Sequence, residues 1–157
     1  MVEERIVSIE TVDPRIPEII LMIRELDLYM GQLYPAESNH LMDIDSLVQR
    51  DVRFFAAKVN GAFRACGAIK LYGRDYAEVK RVYVMPNTRG LGLGRRIVAT
   101  LEESARRDGI GLMRLETGIS QPEALALFAA SGFRRCSAFG AYPADDPYSV
   151  FMEKRLD

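Results

Sequence analysis

Tyr83-Val84-Met85-Pro86-Asn87-Thr88-Arg89-Gly90-Leu91-Gly92-Leu93-Gly94-Arg95-Arg96 is the stretch on which the reading of this chain turns. Gly90, Gly92 and Gly94 alternate between a run rich in valine and tyrosine and a run with helical spacing. Glycine admits φ > 0 and lets the backbone approach a ligand with no Cβ in the way. A helix that starts there offers N–H groups and the positive end of its dipole, which suits an anion. Arg89, Arg95 and Arg96 add charge for phosphate groups. Two common phosphate loops fail. No glycine in the chain is followed by lysine, which removes a P-loop. A G-x-G-x-x-G fingerprint fails on spacing, because Gly90-x-Gly92 leads to Arg95 and Gly92-x-Gly94 leads to Ile97. What remains is Arg-x-x-Gly-x-Gly at Arg89, Gly92 and Gly94. On the loop alone, a ligand-free strand–helix connection stays open beside an anion cradle.

Upstream, Ala77 to Met85 reads as a strand, and Gly73-Arg74-Asp75 turns the chain into it. Val52 to Val59 and Ala62 to Leu71 read as strands joined by Asn60-Gly61, a two-residue hairpin signal. Ile6 to Ile9 reads as an opening strand. Ile16, Ile19, Ile20, Ile23 and Leu26 predict an amphipathic helix from Arg15 to about Met30, with Pro17 suited to its first turn. Gly31 to Asn39 is a loop, and Leu41 to Gln49 a shorter helix. Downstream, Leu93, Ile97, Leu101 and Ala105 form a helical stripe that stops at Arg106-Arg107-Asp108-Gly109, cations followed by glycine. Leu112 to Thr117 is a strand, and Pro122 to Ser131 a helix closed by Gly132. Phe133 to Ala138 and Tyr148 to Lys154 are the last strands, joined by a loop with Pro143 and Pro147. The order β-α-α-β-β-β-α-β-α-β-β predicts a mixed sheet with helices on its faces.

The bulk properties bound the partners. At 157 residues, 48% apolar and 27% charged, the chain is of globular type, and residues 1–157 are read as one domain. A net charge of −1 lacks the basic field of a nucleic-acid binder. The longest uncharged stretch, Ala124 to Phe133, is about half the roughly 20 residues a membrane span needs. No signal-peptide core opens the chain. With His40 as its one histidine, and Cys66 and Cys136 far apart, no zinc pattern forms and no metal is expected. The two cysteines read as packing residues.

With these residues in view, the chain resembles the GNAT superfamily of acetyl-CoA-dependent N-acetyltransferases. Arg89-x-x-Gly92-x-Gly94 is similar to that family's pyrophosphate loop, and Ala77 to Val84 to the strand before it. Ala124 to Phe133, ending in Gly132-Phe133, resembles its later helix. The element order agrees from about Ile6 to Lys154. The implied fold is a mixed, mostly antiparallel α/β sheet of about six or seven strands with about four helices. The implied activity transfers the acetyl group of acetyl-CoA to a primary amine by direct attack. A small metabolite or amino-acid-like acceptor is expected, in the cytoplasm, with a homodimer among the allowed states. A peptide or protein N-terminus, or a non-catalytic acyl-CoA-binding module, are the alternative readings.

The resemblance also implies roles by position. Backbone groups of Val82 and Val84 would meet the pantetheine arm, and Arg89, Gly90, Leu91, Gly92, Leu93, Gly94 and Arg95 the pyrophosphate. Glu78 stands where a family glutamate serves as base, with an ordinary Glu78–Lys80 surface pair as the other reading. Strand alternation predicts Glu78, Lys80, Val82 and Val84 on one face. Lys80 is a candidate grip for a substrate carboxylate, and Glu37, His40 and Glu116 are further acceptor contacts. The match breaks at Phe128, where many members carry a tyrosine that protonates the departing thiolate. Tyr142 and Tyr148 in the C-terminal segment are the candidate substitutes.

Overall fold

In the computed structural model, described over residues 5–39, 42–88 and 90–156, the strands are β1 (Val7–Thr11), β2 (Val52–Val59), β3 (Ala62–Tyr72), β4 (Tyr76–Val84), β5 (Leu112–Gly118), β6 (Arg134–Arg135) and β7 (Ser149–Arg155). The helices are α1 (Pro17–Leu33), α2 (Ile44–Leu47), α3 (Leu93–Arg107) and α4 (Pro122–Ala130). The strands form one seven-stranded sheet in the order β1-β2-β3-β4-β5-β7-β6, antiparallel throughout except for β4 beside β5. The element order is the expected one.

Each sheet face has its own core. Ile97, Val98, Leu101 and Ala105 of α3, with Phe128 of α4, cover Ala57, Ala65, Ile69, Ala77, Val79, Met113 and Leu115. On the opposite face, Ile19, Met22 and Ile23 of α1 and Leu47 of α2 cover Phe54, Ala56, Cys66 and Ala68. Each buried aliphatic side chain of this kind contributes about 1.5–3 kcal/mol of transfer free energy. Asn60 and Gly61 both take positive φ, +50° and +86°, so the β2–β3 hairpin closes in two residues as expected.

Three expectations need correction. The second helix is one turn, capped by Asp43 accepting from the Ser46 N–H at 2.8 Å, and does not span 41–49. The strand expected over 133–138 pairs only at Arg134–Arg135. Phe139 is then drawn into an edge-to-face cluster with Tyr76, Tyr142 and Phe151, and the chain leaves the sheet to reach it. The third correction concerns β4. Its register against β3 shifts between Cys66 and Ala68, so Gly67 alone opposes Arg81 and Val82. This is a β-bulge, with Arg81 in the left-handed region at φ +56°. The extra residue turns Val82 and Val84 onto the α3 face, away from Glu78 and Lys80, so the four do not share a face.

Candidate active site

The strands β4 and β5 pair only at Ala77↔Met113 and Glu78↔Arg114. Past that rung they part, and a cavity of about 490 Å³ opens between residues 79–84 of one and 115–118 of the other. Its lining continues through Thr88, Gly90, Gly92, Leu93, Gly94 and Arg95 to the start of α3. Gly92 is the N-cap of α3 at φ +70°, and Gly90 stands at φ +94°. A Cβ on either would meet nothing within 4 Å, so backbone conformation, not crowding, is what calls for glycine. Gly94 differs: its Cβ would lie 3.0 Å from Leu127 Cδ2, so glycine there lets α3 approach α4. The first N–H groups of α3 thus open on the cavity at the positive end of a helix dipole.

The other end of the cavity is walled by α1 and the C-terminal segment. Leu26, Tyr29, Met30, Tyr34, Met42, Tyr83 and Tyr148 line it, with Ser38, Lys80, Arg81 and Glu116 as polar members. The Tyr34 hydroxyl donates to Gln121 Oε1 at 3.2 Å and accepts from the Ser120 N–H at 3.1 Å. Its ring meets Tyr148 edge-on at 5.9 Å. Burial raises its pKa. Gly118 makes room for it, since a Cβ there would lie 1.8 Å from the hydroxyl. Ser38 donates to Asp146 Oδ1 at 3.1 Å, joining the segment after α1 to the C-terminal one.

Glu78 is 1% exposed and is not on the cavity wall. Tyr142 donates to its carboxylate, and Lys80 Nζ donates to Glu78 Oε2 at 2.9 Å and to the Tyr142 hydroxyl. Burial, then the negative Glu78 and the hydrogen bond to it, push the Tyr142 phenol far above its ordinary range. Tyr72 is pushed up to about 12 by burial and by the same carboxylate. Lys80 is the member of this group that reaches the cavity.

Of the expected site residues, Val82, Val84, Gly90, Gly92, Leu93, Gly94, Arg95, Lys80, Glu116 and Tyr148 line this one cavity. Leu91 packs beside the α3-side core. Glu78 and Tyr142 sit behind Lys80, and Glu37 lies in a 3-10 turn (Ala36–Ser38), off the wall. His40 and Arg89 lie outside the described residues. Tyr34 and Arg81 were not anticipated. The Arg81 guanidinium pairs with Asp27 of α1 and donates from Nε to the Met42 carbonyl at 2.8 Å. A run of Glu-Val-Lys-Arg carries no sign that a bulge will turn the arginine toward α1.

The profile of the acetyltransferase (GNAT) family matches residues 20–133, from α1 through Gly132-Phe133. The chain belongs to that family. The chain is an acyl-CoA-dependent acyltransferase of that family. It is 43% identical over 151 residues to an IAA acetyltransferase of Azospirillum brasilense, covering 96% of this chain and 98% of the relative. A proposed acyl-CoA N-acyltransferase of Klebsiella pneumoniae shares 36% identity and a TM-score of 0.81, over 96% of this chain and 98% of that one. PaiA N-acetyltransferase of Thermoplasma acidophilum, solved with coenzyme A, shares the GNAT fold at TM-score 0.74 and 17% identity, over 96% and 99% of the two chains. Among the described residues, no group of three metal-ligating side chains forms and no helix is long and apolar enough to cross a membrane.

Proposed function

We propose that this protein is an N-acetyltransferase that uses acetyl-CoA to acetylate the primary amine of a small acceptor by direct attack. The observation that carries the reading is the continuity of one cavity from the glycine-capped start of α3 to an aromatic chamber beside α1. The two ends suit a phosphate-bearing donor and a compact acceptor. The N–H groups from Gly90 to Arg95 hold the pyrophosphate, with Arg89 and Arg95 adding charge. Backbone groups of Val84 align the pantetheine arm, and an N–H beside Val84 faces the thioester oxygen as charge develops. One aligned donor of that kind contributes about 3 kcal/mol.

The acceptor amine must lose its proton. With an ordinary pKa near 10.4, exposing the lone pair at pH 7 costs about 4.6 kcal/mol. Glu116 lines the cavity on β5 with its carboxylate fixed by Ser149 Oγ at 2.7 Å. It takes the amine proton in this reading. Glu78, shielded by Lys80 and Tyr142, acts as a positioning residue. Tyr148 lines the cavity and supplies the proton to the departing thiolate that Phe128 cannot give.

The test is isothermal titration of wild type and Gly92→Ala with acetyl-CoA, followed by CoA release with a panel of small primary amines. Gly92→Ala puts an L-residue at φ +70° in open space, so its effect is backbone strain of about 1–2 kcal/mol. Micromolar binding weakened at least tenfold in the variant, with CoA release by wild type, is expected. No heat at millimolar acetyl-CoA overturns the reading. Binding without CoA release with any amine also overturns the amine-acceptor reading.

A further inference from the structure

Beyond the Glu78↔Arg114 rung, the next residues on the same face of each strand are Lys80 on β4 and Glu116 on β5. Both stand on the α1 side of the sheet. Lys80 pairs across β3 with Ala68 of the α1-side core, and Glu116 alternates with Leu115 of the α3-side core. A cation and an anion therefore occupy the two lips of the opening, and both line the cavity. The Lys80 side chain is 14% exposed.

An ammonium has three N–H donors. Lys80 directs one to Glu78 and one to the Tyr142 hydroxyl, and neither partner lines the cavity. The third has no partner among the described residues. Tyr142 in turn donates to Glu78, which draws part of that carboxylate's charge away from Lys80. The triad thus holds a charged donor against the acceptor chamber with its direction fixed from behind. Around it the wall is apolar or aromatic: Leu26, Tyr29, Met30, Met42, Tyr83 and Tyr148. A polyamine or polycationic acceptor brings no anion for Lys80 and more cations than Glu116 can pair at this end of the cavity. A zwitterion with an apolar body satisfies every part of the chamber.

We infer that the acceptor is a free amino acid, or a close analogue, with an aromatic or aliphatic side chain. Its carboxylate is anchored by Lys80, and its amine lies toward Glu116 and the thioester. This rests on the N-acetyltransferase reading above and narrows its substrate class. Lys80 is the specificity residue, and Glu78 and Tyr142 position it. Because the anchor holds a carboxylate that does not react, its effect falls on acceptor KM more than on kcat.

Matched pairs that differ only in the carboxylate test it: phenylalanine against phenethylamine, tyrosine against tyramine, leucine against 3-methylbutylamine, with spermidine as the polycation. CoA release is followed at saturating acetyl-CoA. Each amino acid is expected to exceed its decarboxylated partner at least tenfold in kcat/KM, mainly through KM, with spermidine the poorest. Lys80→Met is expected to bring the ratio near one while its acetyl-CoA Kd, which also reports folding, stays within twofold of wild type; Lys80→Arg keeps part of the preference. Amines used as well as the amino acids by wild type overturn the assignment, with no variant needed. A preference that survives Lys80→Met also overturns it. Turnover of none of these acceptors while another primary amine releases CoA overturns this assignment and leaves the N-acetyltransferase reading standing.

Discussion

In the proposed reaction Tyr148 supplies the proton that many family members draw from a tyrosine at the position of Phe128. Phe128 is buried, lines the cavity and meets Phe133 edge-on at 5.7 Å, so the position is occupied and shaped but cannot donate a proton. Of the two tyrosines expected to stand in, Tyr142 already donates to Glu78 and is held far above its ordinary pKa, which makes it a poor acid. Tyr148 lines the cavity and is 36% exposed. A thiol of pKa near 8.5 is a fair leaving group, so the proton contributes modestly. Tyr148→Phe is expected to lower kcat about tenfold with acetyl-CoA affinity unchanged, well under the roughly 10²–10⁴-fold of a strongly required acid. Adding Phe128→Tyr to that variant is expected to restore most of the loss. Unchanged kcat in Tyr148→Phe would remove Tyr148 from the chemistry.

The β4 bulge shows how far the sequence could be read at the scale of elements. The hairpin at Asn60-Gly61, the stripe of α3 and its stop at Gly109 were legible because each is a local pattern with a local cause. The cavity-lining glycines were legible for the same reason. The facing of β4 was not, because alternation assumes an unbroken pleat and the break is a property of two strands together. Gly67 on the partner strand marks the site of the break: a Cβ there would stand 2.5 Å from Ile97 Cγ2 and 3.4 Å from Leu101 Cδ1. Tyr34 was hidden likewise, since its place depends on Gly118 far along the chain. Gly67 therefore sets how closely α3 seats on the bulged strand. Ile97 and Leu101 are fully buried and have nowhere to go. Gly67→Ala is expected to cost about 1–3 kcal/mol by overpacking. For a chain of this size that lowers Tm by about 3–10 °C, measured by calorimetry. A Tm within a degree of wild type would mean that α3 can ride outward freely.

Over the whole molecule, a thiol and several phenols that the fold holds protonated on the sheet's α1 side make stability fall in alkali. Burial pushes the Cys66 thiol up to about 12, and Tyr72 rises to about 12 through burial and the nearby Glu78. Tyr142, Tyr34 and Tyr76 are shifted the same way, burial leading in each. In the unfolded chain these thiols and phenols ionise at their ordinary values, near 9 and 10. Above pH 9 the unfolded chain therefore binds fewer protons than the folded one, and stability falls as pH rises. The contribution is whole below about pH 9 and is lost progressively through pH 12. On the acid side Asp13, held at about 2 by its hydrogen bonds with Arg15, acts in the opposite sense, but it is solvent-exposed and screened. Urea unfolding is expected to give a midpoint that is flat between pH 7 and 8.5 and drops steadily from pH 9 to 11. Tyr142→Phe separates the cause from general alkaline damage. At pH 7 it should be less stable by about 1–3 kcal/mol, because Glu78 and Lys80 each lose a buried partner. Between pH 9 and 11 it should lose less than wild type, because the most strongly shifted phenol is gone. Parallel losses in the two proteins would show that the Glu78 cluster does not set the alkaline limit.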